Sequence, residues 1–204
     1  MEAFKRKLQF GFVLIMSVLF IQCSSDDDNY DGDKRDEFRL QAPHTYDIKF
    51  TKGAETIRYS GSINDDDDNQ LGFALGIDDN IEALEGYKTI SLLLNKDGVT
   101  ITGSFVLDKN GNPYSLTRNN DFEKRMEVSS VRIMDLKKNI TGVSKSGKVT
   151  LKNLKSHKFG HITDGYFVSY TLDIDGEFEF TGKGYDEPTL YSVSGKVVMS
   201  PYIK

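Results

Sequence analysis

From Tyr166 to Phe180 the chain reads YFVSYTLDIDGEFEF, and one parity of that run carries Tyr166, Val168, Tyr170, Leu172, Ile174, Phe178 and Phe180. A helix, with its period of about 3.6 residues, would scatter these side chains around its circumference, whereas a strand puts them all on one face. The alternation therefore dictates a β-strand with one dry face and one wet face. The same period-two pattern returns at Tyr46, Ile48 and Phe50, and at Ile57, Tyr59 and Ile63. It returns again at Val99, Ile101, Phe105 and Leu107, and at Tyr191, Val193, Val197 and Met199. Such segments bury their apolar faces only against one another, so the body of the chain is expected to be all-β.

The turn residues point to an antiparallel order. NKDGV at Asn95–Val99 joins two alternating runs through Asp-Gly, and DKNGNP at Asp108–Pro113 offers Asn-Gly, both strong hairpin signals. SKSGK at Ser144–Lys148 marks a third break. One short helix is expected at DNIEALEG, with Asp79 as cap, Glu82 three residues on and Gly86 as stop. Residues 118–138 fit neither period, with an exposed strand expected over Glu127–Leu136. Gly61, Gly103, Gly176 and Gly195 sit on the apolar parity of their strands. They mark either bends that coil a sheet into a barrel or positions too crowded for a side chain. The expected fold is an antiparallel β-barrel of lipocalin size or a two-sheet β-sandwich, with about eight to ten strands.

The front of the chain has a different character. Lys5, Arg6 and Lys7 precede the apolar run Phe10–Ile21, the layout of a secretion signal. The run is too short for a membrane-spanning helix, which needs about 20 apolar residues. The only cysteine, Cys23, follows directly, and Gln22 stands before it. This arrangement resembles the lipobox of bacterial lipoproteins. The resemblance implies a signal peptide over residues 1–22, cut before Cys23, with Cys23 carrying the lipid. Ser24, Ser25, Asp26, Asp27 and Asp28 then resemble the export signal of Bacteroidetes-type surface lipoproteins. By that resemblance the protein is held at the outer membrane through its lipid anchor, facing the cell surface. Residues 23–40 read as an acidic tether and 41–204 as a single β domain.

The formal net charge is −5, and it is unevenly spread. Between Asp26 and Glu37 seven carboxylates face two bases, while from Phe38 onwards 21 bases meet 23 acids. The tether is expected to extend by self-repulsion. The body has no basic excess to neutralise phosphates, so nucleic acid is not an expected partner.

Motifs that carry chemistry are scarce. There is no G-x-S-x-G, S-x-x-K, HExxH or phosphate-binding glycine loop, and there are only three histidines. His157 and His161 lie four residues apart around Gly160, a weak metal or haem pair expected to sit in a loop. Asp65, Asp66, Asp67 and Asp68 supply the hard oxygen ligands calcium prefers, but read first as a solvated loop. Asp108–Asn112 begins like a calcium loop and lacks the closing glutamate, since residue 119 is Asn. No metal, no cofactor and no catalytic residues are expected. Ten Tyr, thirteen Phe and no Trp leave a stacking surface for glycans possible through Tyr alone. The expected function is non-enzymatic: a lipid-anchored binding or structural domain with a protein, glycan or small molecule as partner. The alternatives are a carrier of a small apolar ligand or haem in a barrel cavity, and a glycan or lipid hydrolase using paired carboxylates.

Overall fold

The computed structural model describes residues 39–64, 70–78, 88–117, 128–157 and 166–203. All of them fall in one unit of the chain, Glu37–Lys204. They form twelve strands: β1 (Arg39–Leu40), β2 (His44–Lys52), β3 (Glu55–Ile63), β4 (Leu71–Asp78), β5 (Lys88–Lys96), β6 (Val99–Leu107), β7 (Leu116–Thr117), β8 (Ser129–Asp135), β9 (Ile140–His157), β10 (Tyr166–Gly182), β11 (Thr189–Met199) and β12 (Tyr202–Ile203). Nine of these are seven residues or longer, within the expected number. The helix expected from Asp79 to Gly86 lies outside the described residues.

Ten strands share one sheet, in the order β3-β2-β11-β10-β4-β5-β6-β8-β7-β9, and β9 pairs back onto β10. The ladder therefore closes on itself through β10, β4, β5, β6, β8 and β9. β10 is the seam. One of its edges takes β9 along almost its whole length. The other takes β4 at Tyr166 and Phe167, then β11 from Tyr170 to Phe180. From β11 the sheet continues to β2 and β3. All the pairings are antiparallel except β7 with β8. The fold is all-β, of the barrel or sandwich kind.

The interior is the set of dry faces read from the alternation. Ile48, Phe50, Leu172, Phe178, Phe180 and Val197 have no solvent-exposed surface. Phe50 meets Phe178 and Phe180 edge-on, with ring centroids 5.2 and 4.9 Å apart. The inward glycines are filled by their neighbours. A Cβ on Gly61 would meet the Tyr46 hydroxyl at 2.8 Å, one on Gly103 the Phe105 ring at 2.6 Å, and one on Gly195 Ile48 at 3.0 Å. These three are crowded core positions. At Gly176 the neighbour is backbone, because β9 brings Gly147 against it.

Asp97 and Gly98, both at positive φ (54° and 85°), turn β5 into β6 as the Asp-Gly pair predicts. At Asp108–Asn112 the chain also reverses, with Asp108 Oδ1 accepting from the amides of Asn110 and Asn112 at 2.8 Å each. Two sequence expectations need correction. SKSGK is not a break: it lies inside β9, where Gly147 (φ 128°) sits opposite Gly176 and a register shift opposite Glu177 and Phe178 leaves Lys145 as the extra residue without ending the strand. The strand expected over Glu127–Leu136 is not exposed. β8 lies between β6 and β9 with Ser129, Val131, Ile133 and Asp135 all buried. In addition, Arg39 and Leu40, assigned from sequence to the tether, pair with Ile203 and Tyr202.

His44 ties the two ends of the domain together. Its Nδ1 accepts the amide hydrogen of Ser200 at 2.9 Å, which leaves the ring proton on Nε2 to donate to the Gly72 carbonyl at 3.2 Å. Tyr202 donates to the same carbonyl at 3.0 Å and packs edge-on against the imidazole. His44→Leu keeps the volume but strands the buried Ser200 N–H. The expected cost is about 1–3 kcal/mol, read as a lower urea midpoint with an unchanged slope.

Candidate binding site

Three turns converge at one end of the domain. The β2–β3 turn contributes Lys52 and Glu55, the β8–β9 turn Lys138, and the β10–β11 turn Lys183 and Tyr185. The second and third turns are joined by the Lys183 amide donating to the Asn139 carbonyl at 2.9 Å. Between them lies an open cleft of about 550 Å³, with Ile57, Arg58, Ile140 and Tyr191 also in its wall.

The floor is aromatic. Tyr191 is buried, packs edge-on against Phe180, and donates its hydroxyl hydrogen to Glu55 Oε1 at 2.8 Å. Burial, followed by its bonds to Tyr185 and Glu55, pushes the Tyr191 hydroxyl far above the ordinary tyrosine range, so it stays a donor. The Tyr185 hydroxyl lies 3.4 Å from that of Tyr191.

Four cations edge the cleft, in two different states. Arg58 makes two hydrogen bonds of 2.7 Å to Asp47. Lys138 lies 3.1 Å from the buried Asp135 carboxylate and 5.0 Å from the centre of the Tyr59 ring. Lys52 and Lys183 form no ion pair among the described residues. Glu55 is the one carboxylate among the described residues of the wall.

Asp135 anchors the β8–β9 turn. Burial pushes its carboxyl up, but the Lys138 amide at 3.0 Å and the Lys138 ammonium together hold it below the ordinary value of 3.8. A carboxyl whose folded value is depressed stabilises the fold above its unfolded pKa, and that stability is lost as pH falls through the folded value. Melts of the wild type should therefore weaken below about pH 4, and Asp135→Asn should flatten this acid limb. A limb equally steep in the variant would assign the acid sensitivity to other carboxylates.

None of the described residues singled out from sequence as a candidate site lines the cleft. Cys23, Ser24, Ser25, Asp26, Asp27 and Asp28 lie outside the described residues, as do Asp65–Asp68 and His161. His157 ends β9, its backbone opposite Phe167. Among the described residues no three His, Cys, Asp or Glu side chains converge as metal ligands. The cleft has a single sequence signal, lysine in each of three turns, in TKGAET, LKKN and GKGYDEP. No protein-family model, no curated protein and no solved structure matches the chain.

Proposed function

We propose that this is a lipid-anchored protein of the outer membrane, facing the cell surface, whose β domain is a non-enzymatic binding module. The observation that carries the reading is the run from Lys5 to Asp28: a basic start, an apolar stretch, one cysteine and then serines and aspartates. The domain supplies a place for a ligand in the open cleft between its turns. Carriage of an apolar molecule inside the fold finds less support, because Tyr46, Phe105 and Ile48 fill the space beside the inward glycines. Hydrolysis by paired carboxylates needs two acids facing one bond, and among the described residues the cleft wall offers Glu55 alone. Intact-mass analysis of the membrane-bound protein tests the anchor: the chain should begin at Cys23 and carry acyl mass. Membrane-bound protein with an unmodified Cys23 would end this reading.

A further inference from the structure

We propose that the cleft binds an acidic saccharide, a hydroxylated ring carrying a carboxylate; this rests on the reading of the β domain as a binding module but not on its lipid anchor. The body from Phe38 onwards carries 21 bases against 23 acids, so four cations around one cleft depart from the average surface. Arg58 and Lys138 have their charge committed to Asp47 and Asp135. Lys52 and Lys183 do not, and their two ammonium groups are available to a ligand carboxylate.

Glu55 supplies the second constraint. A carboxylate in the wall repels a plain anion, yet it is a strong acceptor for ligand hydroxyl groups. Its Oε1 is fixed by the Tyr191 hydroxyl, and Oε2 has no partner among the described residues. A ligand that satisfies both the ammonium groups and the carboxylate oxygen must carry an acid together with hydrogen-bond donors, and the hydroxyls of a sugar acid supply them. The half-buried Tyr185 adds a ring against which the C–H face of a sugar can lie. The volume, about 550 Å³, falls within the range of roughly 300–1,000 Å³ typical of small-ligand sites.

The test is calorimetric titration of the purified full-length chain with sodium glucuronate, digalacturonate, glucose, acetate and an acidic pentapeptide, penta-glutamate. Both uronates are expected to bind at least tenfold more tightly than glucose or acetate. Tighter binding of digalacturonate marks a polymer as the source, and equal affinity marks the free sugar; either supports the proposal. Lys52→Gln and Lys183→Gln should each weaken glucuronate binding severalfold, and Lys109→Gln, on a different turn, should leave it unchanged. Glu55→Ala, checked for an intact thermal melt, should also weaken it, although the change removes a negative charge. Tighter binding in Glu55→Ala, equal binding of acetate, or equal weakening by Lys109→Gln would reduce the cleft to a generic cationic patch and overturn the proposal. Absence of uronate binding would overturn it too. So would tighter binding of penta-glutamate, which would point to an extended peptide adding to β3, a strand that among the described residues pairs only with β2. The mass of the anchored Cys23 is read independently, so failure here leaves that result standing.

Discussion

Gly176→Val is expected to cost more than about 3 kcal/mol of stability. A Cβ at residue 176 collides with the Ser146 carbonyl oxygen and stands 2.7 Å from the Gly147 Cα. Both obstacles are backbone on the facing strand, so no rotamer change relieves them. The seam cannot simply open, because β9 and β10 pair from Phe167–His157 through to Gly182–Ile140, and β10 holds β11 on its other edge. Overpacking in a yielding core costs about 1–3 kcal/mol, and this site does not yield. Against a typical total stability of about 5–15 kcal/mol, a loss above 3 kcal/mol leaves a small unfolded population at best and none of the fold at worst. Far-ultraviolet circular dichroism with a urea titration measures it. Gly103→Ala is the comparison: its new methyl meets the tip of the Phe105 ring, which can rotate. It should cost distinctly less than Gly176→Val. If Gly176→Val melts within a few degrees of the wild type, the close approach of β9 and β10 is not a real constraint.

That pair of glycines also shows where sequence reasoning succeeds and where it stops. Alternation in β10 is legible because nearly every dry position from Val168 to Phe180 is filled by a large apolar side chain. Asp97-Gly98 is legible because a tight hairpin needs positive φ, which those residue types tolerate. The burial of β8 is not legible, because polar residues hold two of its dry positions, Ser129 and Asp135. The burial of Asp135 is offset by Lys138, three residues away and visible in sequence only once the turn is known. SKSGK has the composition of a turn, and only the partner strand decides that it continues as strand with a bulge at Lys145. The cleft was hidden for a stronger reason. Glu55 and Tyr191, which define its floor, are 136 residues apart, and each of its lysines by itself reads as a solvated turn charge. Period and turn chemistry are local signals; a site assembled from three hairpin ends is not.

The proposed anchor makes the other large prediction: Cys23→Ala should move the protein out of the membrane fraction or leave it as an unprocessed precursor. The two outcomes share one cause. Without a thiol there is no attachment point for diacylglycerol, and the cut before residue 23 depends on that attachment in the lipoproteins this segment resembles. A protein released from its signal would then have only its acidic segment and β domain. The seven carboxylates between Asp26 and Glu37 would be repelled by an anionic membrane surface, not attracted to it. A precursor would stay bound through Phe10–Ile21 and would migrate as the longer chain. The size of the effect follows from acyl burial, worth about 0.8 kcal/mol per CH₂, so two chains hold a protein where a single one gives only reversible binding. Carbonate extraction followed by immunoblotting separates the cases: wild type in the pellet, variant in the supernatant or as a larger precursor. A mature-sized Cys23→Ala protein that stays in the pellet would show that something other than this cysteine holds the domain to the membrane.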